Sequence, residues 1–375
     1  MDTNKPLIAD KPKIMYVEIL RIIAIVFVVF NHTQSYGYVR FTLYDVGTIP
    51  YWVCMFFSVI TGISVPIFFM ISGMLLLGKQ DETIGYIWKK RISRYVILLL
   101  VFSLWRYIRS LDYDLSMFSI KDVLIRLYSG KLVATYWFLY AYIAFLIGLP
   151  FLRKIAKGLN DKEFIYLLII HVVYNGVLLF FQYSLTGGTV FYPGEVSPAI
   201  ATNILIFYPL AGYYLGNKLD KITNKTCGMA FGLFLLASAA TMYITHHMIV
   251  LNGDLGEGTL TGYFDTFRTL EVIFVFLIVR KLFEGKQIPK IPEKLILNMG
   301  GCVFGIYLIE TVVREDVFNI FTLLQSKING FVSIWIYVLL VVLISWAIVA
   351  FVRFVFGCFK KLIMRSRPDS SSDIH

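Results

Sequence analysis

Runs of about twenty apolar residues, separated by short polar stretches, recur from one end of this chain to the other. A helix that crosses a bilayer needs roughly 20 mostly apolar residues. By that rule the pattern predicts ten spans, at 14–36, 50–77, 92–110, 133–152, 163–184, 195–216, 226–248, 262–283, 296–313 and 330–357. The second is overlong and holds Gly62, Ser64 and Pro66 in its middle. Proline removes a backbone donor and clashes with the preceding turn, so a kinked or broken helix is expected there. The first run carries Glu18 and Arg21 and lacks a small-residue cleavage site, so it reads as a retained span, not a cleaved signal. The expected fold is an all-α integral membrane domain over 14–359. A cytoplasmic N-terminal arm, 1–13, precedes it. A polar cytoplasmic tail, 360–375, follows it and is expected to be disordered.

Charge sharpens this picture. With both termini placed in the cytoplasm, 25 of the 35 Lys and Arg residues fall in cytoplasmic segments, 7 fall outside, and Arg21, Arg106 and Arg268 lie within spans. That asymmetry is the positive-inside bias, and its alternation from loop to loop supports both helix number and orientation. The net charge of +11 is then mostly topology, and nucleic-acid binding has no support. Across all 375 residues, 58% are hydrophobic and only 16% charged. An ordinary soluble surface carries about a quarter charged residues, which argues against a second soluble domain. Cys54, Cys227, Cys302 and Cys358 are scattered without a CxxC pair and read as packing residues. The adjacent pair His246 and His247 project about 100° apart on a helix, which disfavours a shared metal; His171 reads as structural. No metal is expected.

Ionisable groups inside a bilayer are costly and usually pair or work. In YVEILRIIAIVFVVFNHT, Arg21 and His32 are eleven positions apart. At 100° per residue the two fall within about 20° of each other, roughly 16 Å apart along the axis. Glu18 shares that face, three residues before Arg21. Imidazole titrates near operating pH, so His32 suits a general base, or a nucleophile that carries a group transiently. Both roles stay open.

An arginine and a histidine with ten residues between them in the first of ten helices resembles the acyltransferase-3 family of membrane O-acyltransferases. Further motifs occur in the family's order: VPIFFMISGMLLLG from Val65, the basic entry KKRISRY, YWFLYAYIAFLIGLPFL from Tyr136, FYPLAGYYLG from Phe207, and FGIYLIE from Phe304. The resemblance spans essentially the whole chain. There are departures from the pattern. Glu310 stands where the ninth helix is expected to carry histidine, and Thr135 stands where histidine commonly precedes the fourth-helix tryptophan. The eighth helix carries Asp265, Arg268 and Glu271, more charge than the pattern leads one to expect.

The resemblance implies a multi-pass protein of the bacterial inner membrane. Its activity would move an acetyl or other short acyl group from acyl-CoA, typically acetyl-CoA, to a hydroxyl of a cell-surface or lipid-linked polysaccharide. The catalytic candidates are then His32, Arg21, Glu18 and Glu310, with Glu310 orienting His32 or pairing with Arg268. Ser72, Tyr136, Trp137 and Tyr140 are candidates to contact the acceptor, and Gly73 permits close helix approach. Lys89, Lys90, Arg91 and Arg94 form a candidate cradle for the CoA phosphates. No SGNH-type esterase domain is expected after the tenth helix, so the membrane domain or a separate partner completes the transfer. The rival readings are a transporter or flippase of lipid-linked glycans, against which no internal repeat is visible, and a non-catalytic scaffold. Sequence leaves the acceptor, the acyl group and the oligomeric state open.

Overall fold

The computed structural model describes residues 14–130, 132–191, 193–253 and 263–365. Among these, every regular element is helical. In chain order the principal helices are α1 (Met15–Asn31), α2 (Ile49–Thr61), α3 (Ser64–Leu76), α4 (Ser93–Ser110), α5 (Ile120–Tyr128), α6 (Trp137–Gly158) and α7 (Asp161–Val172). They continue with α8 (Leu178–Thr186), α9 (Ile204–Tyr213), α10 (Asn224–Asn252), α11 (Arg268–Phe283), α12 (Lys290–Asp316), α13 (Phe318–Gln325) and α14 (Gly330–Arg365). Each of the ten expected segments contains a helix. Among the described residues, six helical stretches are long and apolar enough to cross a membrane: Ile49–Leu76, Ala134–Gly158, Asp161–Thr186, Asn224–Asn252, Lys290–Asp316 and Gly330–Phe359. The others fall short for visible reasons. α1 has 17 residues and α11 has 16, α9 is a 10-residue helix containing Pro209, and α4 holds Arg94, Arg106 and Arg109.

Two boundaries differ from expectation. α1 stops at Asn31, because the Thr33 amide and hydroxyl both turn back onto the Phe30 carbonyl, at 3.0 and 2.5 Å. α14 continues to Arg365, past the expected end of the membrane domain at 359. The arm 1–13, Lys131 and the last ten residues of the tail lie outside the described residues.

The chain divides into two compact units, with the boundary inside α1. The first comprises the chain up to Val29 together with Glu284 onward, and the second runs from Phe30 to Phe283. In the first unit α12 packs along α14. Gly305 faces Val349, and Trp346 Nε1 donates to Asn298 Oδ1 at 2.8 Å. Gly300 leaves room for the Glu18 side chain, which seats α1 against α12.

In the second unit the long apolar run at 50–77 is broken, as Gly62, Ser64 and Pro66 predict. α2 ends at Thr61 and α3 begins at Ser64. This is also the most enclosed of the candidate spans, with 72% of its apolar window buried. α3 packs backbone to backbone on α9. A Cβ on Gly73 would overlap the Pro209 backbone, and one on Gly212 would overlap the Met70 backbone. Small residues permit such an approach, which gives dispersion and polar contacts at close range in a medium that supplies no hydrophobic drive.

At one end of this unit, basic side chains occupy carbonyls left free at helix C-termini. Arg153 Nε donates to Leu76 O at 3.0 Å, Lys218 Nζ donates to Leu159 O, and Arg280 Nη1 donates to Leu215 O. The last four carbonyls of a helix lack intrahelical partners and carry the negative end of its dipole, so cations suit them. Part of the positive charge in the loops is therefore structural. Arg153, placed by sequence in a loop, is only 1% exposed.

Gly73→Val should push α3 away from α9. Overpacking of this kind costs about 1–3 kcal/mol, more where backbone is the obstacle. Thermal unfolding of the detergent-solubilised protein should show a clear fall in midpoint. Gly85→Ala, where an added Cβ meets nothing within 4 Å, should show almost none.

Candidate functional site

The helix break creates the site. Ending α2 and restarting α3 leaves carbonyls without helical partners inside an apolar bundle, where an unsatisfied group costs several kcal/mol. Two side chains supply the missing donors. Asn31 Nδ2 donates to Thr61 O at 3.2 Å and also reaches Ser64 Oγ at 3.3 Å. Arg268 Nη1 donates to Gly62 O at 3.1 Å. An added Cβ at position 62 would run into the Arg268 guanidinium, which would have to shift from this place. Arg268 further donates from Nη2 to Phe264 O at 2.6 Å and pairs through Nη1 with Asp265 Oδ1 at 2.7 Å.

The segment carrying Asp265 is held by a second irregularity. Residues Val173–Val177 between α7 and α8 are π-helical, a form frequent at functional sites. The Phe267 amide donates to the Asn175 carbonyl at 3.4 Å, and Phe267 adopts a left-handed φ of 60°. A bulky residue in that region is strained, and it persists where surrounding contacts over-determine it. Here its ring lies against Phe180 at 6.1 Å, and Gly176 leaves room for it.

Around the break lies a cavity of about 370 Å³, lined only by residues of the second unit. That size is within the roughly 300–1,000 Å³ of ligand pockets. Its polar wall includes Asn31, Ser64, Asn175, Asp265 and Arg268, and its aromatic wall includes Trp137 and Tyr208. Tyr208 OH bonds Thr269 Oγ1 at 3.1 Å. His171 also lines the cavity, stacked on Phe207 with ring centroids 3.6 Å apart, with Nδ1 at 2.5 Å from Ala201 O.

The sequence-selected residues distribute as follows. Glu18 and Arg21 form an ion pair at 2.6 Å in the first unit. Glu310, fully buried there, accepts from Thr311 Oγ1 at 2.6 Å and lies 3.8 Å from Arg314 Nε. His32 belongs to the second unit and follows the end of α1. It sits between Asn31, which is bound to the break, and Thr33, which is buried and accepts the Tyr38 amide at 2.9 Å. The backbone on both sides of the half-buried imidazole is therefore fixed.

Of the three aromatic candidates, Trp137 lines the cavity. Tyr136 is buried in packing, and Tyr140 donates its hydroxyl to Leu127 O at 2.9 Å. Ser72 Oγ donates to Phe68 O of its own helix at 2.7 Å. In the basic cluster, Lys89, Lys90 and Arg94 are exposed. Arg91 is held by Glu82 through Nε at 2.7 Å and Nη2 at 2.5 Å, and Glu82 also binds Arg153 at 3.1 Å.

From sequence, Arg268 has only the expected pairing with Glu310, whereas the structure pairs it with Asp265; Asp265, Glu271, Asn31, Asn175 and Tyr208 have no role in the sequence pattern. Asn31 carried one signal, a polar side chain next to His32 at the end of an apolar run. Among the described residues no group of three or more His, Cys, Asp or Glu side chains is arranged to hold a metal ion, and the four cysteines are free.

A helical multi-pass membrane protein with a cavity of mixed polar and apolar lining at a broken helix is the class that fold and geometry define. The acyltransferase-domain model of the acyltransferase-3 family matches residues 14–350, nearly the whole chain, and the chain belongs to that family. No curated protein and no solved structure gives a significant match.

The Glu82 clamp makes a pH prediction. The hydrogen bond from Arg91 is the main cause that holds the Glu82 carboxyl below the usual carboxylate range, and the same pairing raises Arg91. A carboxylate depressed on folding stabilises above its unfolded pKa and loses that contribution as pH falls through the folded value. The unfolding midpoint should therefore drop as pH is lowered from about 5 through the acid range. In Glu82→Gln that drop should be smaller, with a lower midpoint at neutral pH. Identical acid profiles for the two proteins would refute the clamp.

Proposed function

We propose that this protein is a membrane O-acyltransferase. It moves an acetyl or other short acyl group from acyl-CoA to a hydroxyl of a cell-surface or lipid-linked polysaccharide, in a domain of ten spans with both termini cytoplasmic. The observation that carries the reading is membership of the acyltransferase-3 family over residues 14–350, with Arg21 and His32 in α1 and the turn that ends it. The loop-to-loop alternation of Lys and Arg supports the orientation. In that orientation the ends of α1 and α2–α3 nearest the cavity, and the starts of α6, α9 and α11, face the outer side. The exposed Lys89, Lys90 and Arg94 face the cytoplasm, where acyl-CoA is found.

His32 is the general base. Its imidazole takes the proton of the acceptor hydroxyl as that oxygen attacks the thioester carbonyl. The new C–O bond replaces the C–S bond, and the departing CoA thiolate regains the proton. The fixed backbone at Asn31 and Thr33 supports this role, since a base must be held within hydrogen-bond reach of the proton it removes. Arg21, held by Glu18, supplies positive charge for the acyl donor, and Glu310, a further catalytic candidate, lies against Arg314 within its own unit. Lys89, Lys90 and Arg94 bind the CoA phosphates, and Arg91 joins them on leaving Glu82.

Purified full-length protein, given labelled acetyl-CoA and a surface-glycan fraction, should produce labelled glycan. General-base catalysis contributes about 10²–10⁴-fold, so His32→Ala should lose at least about 100-fold in rate with an unchanged unfolding midpoint. Absence of any labelled product from the unaltered protein would instead favour a glycan transporter.

A further inference from the structure

We infer that the cavity at the helix break is the acceptor subsite and that it selects an uncharged sugar ring, with Asp265 as the specificity-determining group. The inference rests on the acyl-transfer reading for what is done to the ligand, but its recognition chemistry is argued from the cavity alone.

The wall contains one cation and one anion, and they are unequally available. Both Nη atoms of Arg268 are bonded, to the carbonyls of Gly62 and Phe264 and to Asp265 Oδ1; its Nε makes no bond but is buried out of a ligand's reach, and the side chain is only 14% exposed. It cannot turn to a ligand carboxylate or phosphate without abandoning the break, where the Gly62 carbonyl would lose its donor. Asp265 stands the other way round. One oxygen is tied to Arg268, while the side chain as a whole is 51% exposed. A carboxylate is an acceptor only, with two oxygens and about four lone-pair sites. What the pair offers a ligand is therefore hydrogen-bond acceptance with residual negative character.

Hydroxyl donors satisfy that demand, and an anionic ligand meets a like charge. Trp137, 46% exposed on the same cavity wall, supplies a flat face of the kind on which the C–H side of a pyranose ring packs. Asn31, Ser64 and Asn175 supply further neutral donors and acceptors. A neutral hexose or N-acetylhexosamine unit fits this chemistry. A uronic acid, a sialic acid or a phosphorylated sugar does not.

Full-length protein in nanodiscs would be titrated calorimetrically with p-nitrophenyl β-glucoside, its N-acetylglucosaminide and its β-glucuronide. The same glycosides would be offered as acceptors for labelled acetyl-CoA. The neutral glycosides should bind at least about tenfold more tightly than the glucuronide, the scale of a like-charge penalty in a buried site. Asp265→Asn should weaken the neutral ligands about fivefold or more and narrow the gap to the glucuronide, while the KM for acetyl-CoA stays constant. Trp137→Ala, which leaves the Arg268 pair untouched, should weaken all three glycosides together, and Trp137→Phe should recover most of the loss.

Equal or tighter binding of the glucuronide overturns the inference. So does a neutral affinity unmoved by Asp265→Asn in protein that retains its unfolding midpoint, or failure of all three glycosides to bind. Selective binding without acetyl transfer would sustain the subsite and count against the acyl-transfer reading, so the two fail separately.

Discussion

A carbonyl without a donor inside an apolar bundle is the constraint from which the second unit is built. Gly62, Ser64 and Pro66 interrupt the apolar run, and the interruption strands carbonyls at Thr61 and Gly62 where water is scarce. Satisfying Gly62 with Arg268 brings a full charge into the same place, and a buried charge needs a counter-ion. Asp265 provides one, which obliges the 263–267 segment to fold back over the bundle. That fold-back needs a left-handed Phe267 and an anchor for its amide, and the π-helical carbonyl of Asn175 is the anchor. The cavity is what remains between these parts. Its polar wall follows from repairing the break, and its charge balance is fixed by the same repair.

The opposite end of the unit obeys the same rule with different partners. Helix ends at Leu76, Leu159 and Leu215 present carbonyls, and Arg153, Lys218 and Arg280 reach across to fill them. Positive charge in these loops thus helps to terminate helices. Glu82 ties Arg153 to Arg91, holding the buried Arg153 with one oxygen and sharing Arg91 between both. A phosphate that recruited Arg91 would have to displace a bidentate carboxylate, whereas Lys89, Lys90 and Arg94 are exposed.

Local patterns carried much of this into the sequence. Apolar length placed a helix in each expected segment, the Gly62–Pro66 run predicted the break, and Gly73 predicted a close helix approach. Partnerships over long separations were not legible. Arg268 and Gly62 are 206 residues apart, and Arg153 and Leu76 are 77 apart. Hydropathy treats such arginines as loop charge or as anomalies, because it scores residues one at a time and cannot see a carbonyl waiting on another helix. His171 and Asn175 were hidden for a related reason. A π-helical turn leaves no mark in apolar periodicity, yet it decides which side chains the cavity receives.

The end of α1 shows where periodicity itself gives out. A 100° step per residue brings Arg21 and His32 to one stripe only if the helix continues through both. It stops at Asn31, and from there the chain follows Thr33, whose amide and hydroxyl close on the Phe30 carbonyl and whose hydroxyl receives the Tyr38 amide. The direction of the imidazole is therefore set by a turn, and that turn is pinned on its other side by the bond of Asn31 to the broken helix. One residue thus joins the break to the histidine beside it: Asn31 repairs a carbonyl of α2, lines the cavity and fixes the backbone on which His32 stands. A residue placed this way is positioned by the repair of the break rather than by the rest of its own helix.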